Sequence, residues 1–237
     1  MHGFPTGRRA FAGGAVAAAG LLRAGAAAAQ AAAPRRGGTL LVAADGEPRN
    51  LNPALVASNG VFFVASKVIE PLAEMSYGGD GLVPRLATAW RGAPDGRSVT
   101  FSLREGVSWH DGRPFTSADV AFSALEVWRK HQNLGRVVFA DLEAVDTPDP
   151  ATAIFRFAAP TPLQLIRNAL PAVTSVLPRH LYAGGDIAAN PANTRLVGTG
   201  PFRFAEHRPG EYYRLERNPD FRDAGRPFLD AIVYRVL

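Results

Sequence analysis

Three consecutive residues, Trp109, His110 and Asp111, offer the most concentrated potential for chemistry in the chain. A histidine oriented by an aspartate can act as a general base, and Ser108 or Ser117 would then serve as the nucleophile. Adjacent residues on a strand point to opposite faces, however, so His110 and Asp111 are poorly placed for a side-chain hydrogen bond. A tryptophan here is typical of packing, and an Asp-Gly pair is typical of a turn. We therefore predict a scaffold with no catalytic residue.

The potential metal ligands show no recognised spacing. The histidines form neither an HExxH pattern nor a ligand pair; they are His2, His110, His131, His180 and His207. The sequence contains no cysteine, which excludes thiol nucleophiles, thiolate metal sites and disulfide bonds. Gly198 and Gly200 form a G-x-G pattern without a third glycine, and Pro201 follows, which favours a backbone turn over a phosphate-binding helix start. We expect no metal site and no cofactor.

The composition is that of a globular protein. Of the 237 residues, 47% are apolar and 20% are charged, which is enough to bury a core in one or two domains. Residues 1–33 contain three arginines and no acidic residue, so the rest of the chain, with 23 basic and 21 acidic residues, is nearly neutral. Its arginines are scattered rather than clustered, which argues against a nucleic-acid-binding protein.

The first 33 residues have the order of a secretory signal. Arg8 and Arg9 precede an apolar run that is too short to span about 30 Å of hydrocarbon as a helix, and small residues follow. The paired arginines resemble a twin-arginine export signal. An ordinary export signal with two chance arginines is the alternative. Three cleavage points fit the small-residue rule equally well: after Ala29, Ala31 or Ala33.

Hydrophobic patterns predict the elements near the start of the mature chain. Residues 39–44 (TLLVAA) are a short apolar run bounded by turn formers, which predicts a buried strand. Residues 45–54 (DGEPRNLNPA) contain two prolines that forbid regular ladder pairing, which predicts an ordered loop at the strand end. Residues 60–75 have apolar side chains near helical spacing as far as Pro71, which predicts a helix up to that proline.

Two strands and a helix are predicted around the Trp-His-Asp stretch. Residues 99–104 alternate between apolar and polar, which predicts a half-buried strand, and residues 107–110 predict a second strand paired with it. A capping box from Thr116 to Asp119 begins a helix that runs to about Lys130. Its predicted apolar face consists of Ala118, Ala121, Phe122, Leu125 and Trp128.

The second half of the chain predicts strands and a short helix. Residues 142–157 predict two strands joined at residues 147–150, and Pro162 begins the helix. A hairpin is predicted around residues 208–210, and residues 231–237 predict a final strand. The sequence shows no internal repeat and no linker that would split the chain into sequential domains.

Several long motifs in order resemble one protein family. They are GGTLLVAADGEPRNLNPA, GDGLVPRLATAW, PDGRSVTFSLREGVSWHDGRPFTSADVAFS and GTGPFRF, followed by LERNPDF and GRPFLDAIVYRV. These motifs, spread over residues 37–237, are similar to those of the family 5 extracellular solute-binding proteins. Members of that family are the periplasmic dipeptide-, oligopeptide- and nickel-binding components of ATP-binding-cassette (ABC) importers.

The resemblance implies an α/β fold of the periplasmic-binding-protein type (type II), in which two lobes clasp a ligand. Residues 34–57 and 175–237 are expected to form the core of the first lobe, with a mixed sheet. Residues 58–174 are expected to form an inserted small α+β subdomain. Family members are much longer than this chain, so we expect the second lobe to be absent.

The resemblance also implies a function as the substrate-binding component of an ABC importer. Such a protein captures peptides or related small solutes in the periplasm and delivers them to a membrane permease and its ATPase. Some relatives bind nickel complexes, so a metal as a component of the cargo stays an alternative. We expect no nucleic-acid partner and no stable membrane insertion of the mature chain. The alternatives are an exported hydrolase-like enzyme and an inactive truncated remnant.

The candidate ligand-binding residues lie in the loop after the first strand, which the resemblance places on the cleft side. They are Glu47, Pro48, Asn50, Leu51 and Asn52. The polar groups of this loop would bind the backbone of a ligand. The alternative for Asn50 and Asn52 is that they satisfy loop amides through Asx turns. In peptide-binding relatives the acidic partner of the peptide's amino terminus comes from the second lobe, so no residue is assigned that role.

Overall fold

The computed structural model describes residues 34–44, 46–78 and 81–237, which contain ten β-strands and five α-helices. The predicted export signal lies outside these residues. The strands are β1 (Thr39–Ala44), β2 (Ala73–Met75), β3 (Leu82–Pro84), β4 (Ala87–Gly92), β5 (Ser98–Leu103), β6 (Leu142–Asp149), β7 (Thr152–Phe157), β8 (Phe202–Arg208), β9 (Tyr212–Arg217) and β10 (Ala231–Val236). The helices are α1 (Asn59–Ala65), α2 (Ser117–Phe122), α3 (Asn133–Val138), α4 (Leu163–Val173) and α5 (Arg179–Tyr182). A π-helical segment, Ser123–Trp128, continues α2, and a 3₁₀ turn spans Pro191–Asn193.

One four-stranded sheet joins the first described strand to the last three. Its order is β1-β10-β9-β8, with β1 parallel to β10 and the other neighbours antiparallel, so the predicted mixed sheet and hairpin are confirmed. The prediction that β1 is buried is wrong, because Leu41 is 66% exposed. β1 lies at the sheet edge and pairs on one side only. A short apolar run does not by itself distinguish an edge strand from a central one.

A second four-stranded sheet is wholly antiparallel, with the order β4-β5-β7-β6. β5 confirms the predicted half-buried strand, because its three apolar side chains are buried and alternate with polar ones. The predicted strand over residues 107–110 is wrong, since this segment forms only an isolated bridge between Ser108 and Pro114. β4 and β7 already pair with the two edges of β5, so no edge remains for a further strand.

The helix after the Trp-His-Asp stretch begins where the sequence predicts. Thr116 N donates to Asp119 Oδ2 at 2.9 Å, and helical structure continues through the π-helical segment to Trp128. The predicted apolar face is confirmed in part: Trp128 is fully buried, and Phe122 and Leu125 are partly buried against the core, but the most buried positions lie elsewhere on the helix. The buried residues are Ser117, Asp119, Val120, Ser123, Ala124, Val127 and Trp128. Polar side chains enter this face because they are hydrogen-bonded; Ser117 Oγ, for example, donates to Asp149 O at 2.6 Å.

Aromatic side chains fill the core that the second sheet shares with its neighbouring helices. The ring centroid of Phe155 lies 5.0 Å from that of Phe101, 5.9 Å from that of Phe139 and 6.4 Å from that of Trp128. All four side chains are fully buried. Tilted aromatic contacts at these separations add to the stabilisation that comes from burying apolar surface. The core therefore fixes the helices against the sheet.

Helix α1 is shorter than predicted, because it ends at Ala65 rather than near Pro71. In a longer helix Lys67 O would need an N–H from residue 71, and proline has none. Instead, Lys67 O accepts from Phe202 N at 3.0 Å, and Val68 O accepts from Gly200 N at 2.9 Å. Of the helices in the described ranges, none is long and apolar enough to cross a membrane.

Candidate functional site

The loop between β1 and α1 is held by hydrogen bonds to two distant segments. Leu51 N donates to Asn193 O at 2.8 Å, which ties the loop to the 3₁₀ turn. Tyr213 Oη donates to Pro48 O at 2.9 Å, which ties it to β9. The loop is therefore ordered, as the sequence predicts, and its position depends on residues far away in the chain.

The two asparagines of the loop form Asx turns. Asn50 Oδ1 accepts from Asn52 N at 2.8 Å, and Asn52 Oδ1 accepts from Ala54 N at 2.9 Å. Asn52 is fully buried, and its Nδ2 donates to Asn193 Oδ1 at 2.9 Å and to Tyr182 Oη at 3.3 Å. These contacts match the alternative in which the two asparagines accept hydrogen bonds from loop amides.

The same loop forms one wall of a solvent-open cleft with a volume of about 490 Å³. The loop contributes Glu47, Pro48, Arg49 and Leu51. The opposite wall comes from Thr194, from His207 on β8 and from Tyr213 on β9. Three of the five candidate residues thus line the cleft, whereas Asn50 and Asn52 do not. Ligand binding by any of the five stays a prediction.

The carboxylate of Glu47 is engaged at both oxygens. Oε1 lies 2.5 Å from His207 Nε2, and Oε2 accepts from Gly210 N at 3.0 Å. The hydrogen bond from His207, and then that from Gly210, hold the pKa of Glu47 below its ordinary value. The Glu47 and His207 side chains are 30% and 28% exposed, so this pair remains in contact with water.

His207 and Tyr213 were not predicted to line the cleft. They are direct cross-strand neighbours on β8 and β9, and their rings stack with centroids 4.2 Å apart. Burial, followed by the charge of Glu47, raises the pKa of Tyr213 to about 12, so its hydroxyl stays protonated and donates to Pro48 O. The predicted hairpin around residues 208–210 was the signal that could have paired them. No comparable signal pointed to Thr194.

The side chains of His110 and Asp111 have different partners. Gly198 N donates to His110 Nδ1 at 3.3 Å, which leaves the proton on Nε2, 3.0 Å from Gly200 O. Burial lowers the pKa of His110 to about 4, so the ring is neutral near neutral pH. Asp111 Oδ2 instead lies 2.6 Å from His180 Nε2. His110 and Asp111 thus contact distant segments of the chain, as predicted for a scaffold.

Gly198 and Gly200 lie against the backbone after α1. A Cβ atom on Gly198 would lie 1.8 Å from Val68 O, and one on Gly200 would lie 2.5 Å from Lys67 O. The need for glycine therefore comes from the close approach of two backbones rather than from the turn that the sequence predicts.

Thr199, between these glycines, contacts a buried ion pair. Arg222 Nη1 and Nη2 donate to the two Glu70 oxygens at 2.5 and 2.6 Å, and Thr199 Oγ1 donates to Glu70 Oε2 at 2.9 Å. The Glu70 and Arg222 side chains are only 4% and 13% exposed. We call this group the glycine junction; its members are Glu70, His110, Gly198, Thr199, Gly200 and Arg222.

The fold and the cleft together define a lobe of the periplasmic-binding-protein class. The oligopeptide-binding protein AppA from Bacillus subtilis, solved with a nonapeptide, matches with a TM-score of 0.76 and 26% identity, over 86% of this chain and 41% of AppA. NikZ from Campylobacter jejuni, solved with Ni(L-His), matches with a TM-score of 0.72 and 27% identity, over 84% of this chain and 39% of NikZ. In the described residues of this chain, no group of three or more histidine, cysteine or acidic side chains is arranged to hold a metal.

Residues 81–237 match the family model described as bacterial extracellular solute-binding proteins, family 5 Middle. The chain belongs to this family. A Brucella ovis protein named for ABC-transporter peptide binding is 34% identical over 202 residues, which cover 82% of this chain and 36% of that protein. The chain thus spans little more than a third of the length of the curated relatives it matches first.

Proposed function

We propose that the chain is part of the substrate-binding component of an ABC importer, which captures peptides or related small solutes in the periplasm. The component then delivers them to a membrane permease and its ATPase. The observation that carries the proposal is the open cleft beside the loop after β1, in a lobe of this family. Its lining combines apolar and hydrogen-bonding side chains, as expected of a solute site. The relatives solved with a nonapeptide and with Ni(L-His) support this class of solute.

The contacts within the site favour binding over an exported hydrolase. Glu47 and His207 form a carboxylate–histidine pair, but a hydrolase also needs a nucleophile within reach of the histidine. The hydroxyl group of Thr194 donates to Pro191 O at 3.0 Å, and that of Ser117 donates to Asp149 O. His110 is hydrogen-bonded to backbone groups at both ring nitrogens. The chain therefore acts by binding, and we assign it no bond-making chemistry.

The proposal includes a division of the lobe. Residues 34–57 and 175–237 form its core, because they supply every strand of the mixed sheet. Residues 58–174 form the inserted subdomain, because they supply every strand of the antiparallel sheet. In this scheme a bound solute stabilises a closed form that the permease recognises.

Titration of residues 34–237 with di- to nonapeptides tests the proposal. We expect weak, saturable changes in the backbone amide NMR signals of Leu51 and Thr194, because the cleft is open and covers a ligand on one side only. Saturable binding that leaves these signals unchanged would contradict the assignment of the cleft. Sub-micromolar affinity would contradict the expectation that the lobe is an incomplete clamp.

A matched pair of variants locates the binding site. Thr194→Trp places a bulky side chain in the cleft and should abolish the peptide-induced changes. Thr88→Trp makes the same replacement at an exposed position on β4 and should leave them intact. Equal effects of the two substitutions would show that peptides do not bind in this cleft.

A further inference from the structure

Two arginines border the cleft, and neither has a counter-ion in the part of the chain that the structure describes. Arg49 lines the 490 Å³ cleft, and Arg195 lines a neighbouring cleft of about 380 Å³ that shares Thr194 and His207 with it. Both arginines are exposed, and neither forms an ion pair or a hydrogen bond within the described ranges of the chain. The hydrogen bond from Leu51 N to Asn193 O holds their two segments side by side.

The acidic side chains of the two clefts are already occupied. Both Glu47 oxygens are engaged, by His207 and by Gly210 N. Glu206, in the second cleft, accepts from Arg208 Nε at 2.9 Å and from Tyr212 Oη at 3.0 Å. No described residue therefore occupies the guanidinium donors of Arg49 and Arg195, which leaves these donors for a solute.

Arg49 and Arg195 differ from other exposed arginines because they line concave surfaces. Arg167, for example, is exposed on α4 and lines neither cleft. A guanidinium group presents planar, paired donors that match a carboxylate. Such a pair is stronger in a cleft than on a convex surface, because less water competes for the donors.

We propose that the joined clefts bind the carboxylate group of a solute, with Arg49 and Arg195 as the cationic contacts. The inference rests on the proposed function and deepens it by naming the chemical class of the solute as a carboxylic acid. A peptide's carboxyl terminus and a free organic acid both carry this group, and the experiment separates the two sources.

The test titrates residues 34–237 with three solutes at matched ionic strength: trialanine, trialanine amide and sodium acetate. Trialanine should bind about fivefold more tightly than its amide, as expected for one partly exposed ion pair. Acetate should shift the side-chain Nε–H signals of Arg49 and Arg195 more than that of Arg167. Arg49→Gln and Arg195→Gln should each reduce trialanine binding towards that of the amide, and Arg167→Gln should not.

The outcomes separate the inference from the proposed function. Equal binding of trialanine and its amide, or an acetate shift at Arg167 as large as that at Arg49, would overturn carboxylate recognition and leave peptide binding intact. Selective acetate shifts with no response to either peptide would support the carboxylate site, identify free organic acids as its source and contradict peptide capture. Trialanine binding that Arg49→Gln and Arg195→Gln leave unchanged would also overturn the inference.

Discussion

The glycine junction and the cleft each contain a paired carboxylate, Glu70 in the first and Glu47 in the second, and the two pairs differ in their exposure to water. In the glycine junction, Glu70 is 4% exposed and accepts two hydrogen bonds from Arg222. In the cleft, Glu47 is 30% exposed and pairs with His207. Removing one partner of a buried pair leaves a charge that water cannot reach, whereas water replaces a lost partner at the surface. The junction therefore serves stability, whereas the pair in the cleft should tolerate the loss of one partner.

The two histidines of these regions show the same contrast. His110 Nδ1 accepts from one backbone amide, and Nε2 faces one backbone carbonyl. These two contacts require the neutral imidazole with its proton on Nε2. His207 contacts a solvated carboxylate and stacks on Tyr213 in an open cleft. One imidazole is a largely buried structural group, and the other is partly exposed to water in the cleft.

The largest expected difference between the regions comes from glycine substitution. Gly198→Ala should lower the free energy of unfolding by about 5 kcal/mol or prevent folding, because its Cβ would meet Val68 O, a backbone atom. A Cβ atom on Gly46, in the cleft loop, would meet no other atom within 4 Å. Gly46→Ala should therefore change the free energy of unfolding by less than about 0.5 kcal/mol. Urea unfolding followed by circular dichroism measures both. A similar loss in the two variants would break the comparison.

Neutralising the two carboxylates should give the next largest difference. Glu70→Gln removes the charge that pairs with both terminal nitrogens of the buried Arg222, leaves only Asp223 Oδ1 at 3.9 Å from Nε, and should cost about 4 kcal/mol. Glu47→Gln alters a solvated pair and should cost much less, because water replaces the lost partner. Chemical denaturation at neutral pH measures these losses, and a smaller loss for Glu70→Gln than for Glu47→Gln would refute the assignment of roles.

Acid should destabilise the protein through His110. Its pKa is lowered from 6.5 to about 4 by burial, so between these values the unfolded chain binds a proton that the folded chain does not. Stability should therefore fall as the pH drops from 6.5 to about 4, by about 3 kcal/mol from this group. His110→Gln should remove that contribution from the pH profile of unfolding, and His207→Gln should retain it. An unchanged slope in His110→Gln would contradict the buried neutral imidazole.

The smallest expected effect concerns a single hydrogen bond at the cleft. Tyr213→Phe removes the donor to Pro48 O and should cost about 1 kcal/mol. Tyr234→Phe is the matched control, because its hydroxyl donates to Phe63 O at 2.8 Å, outside the cleft. Only Tyr213→Phe should accelerate amide hydrogen exchange at Leu51. Equal exchange in both variants would show that the tyrosine does not hold the loop.

Local patterns predicted the elements whose residues interact with near neighbours in sequence. The capping box at Thr116 and the alternation in β5 are such cases, and the structure has both. The apolar face of the helix after Thr116 was predicted only in part, because Ser117 and Ser123 are also buried, through hydrogen bonds to Asp149 O and Leu177 N. Hydrophobic periodicity carries no information about such distant partners.

The candidate site was predictable only in part, because one of its walls comes from distant residues. The loop after β1 was identified by its prolines and by the family resemblance, and three of its five candidate residues line the cleft. The opposite wall comes from residues about 150 positions further along the chain, as the hydrogen bond from Gly210 N to Glu47 shows with its separation of 163. No local motif marks Thr194 or His207 as neighbours of that loop.

The sequence by itself determined the family, the absence of thiol chemistry, most strands and the start of the helix at Ser117, because these follow from residue type and short-range spacing. Only the tertiary structure decided that β1 is an exposed edge strand, that Gly198 is required by a backbone crossing, and that Glu47 and His207 meet across a cleft. Those outcomes depend on which distant segments exclude water from one another, and that exclusion exists only once the chain has folded.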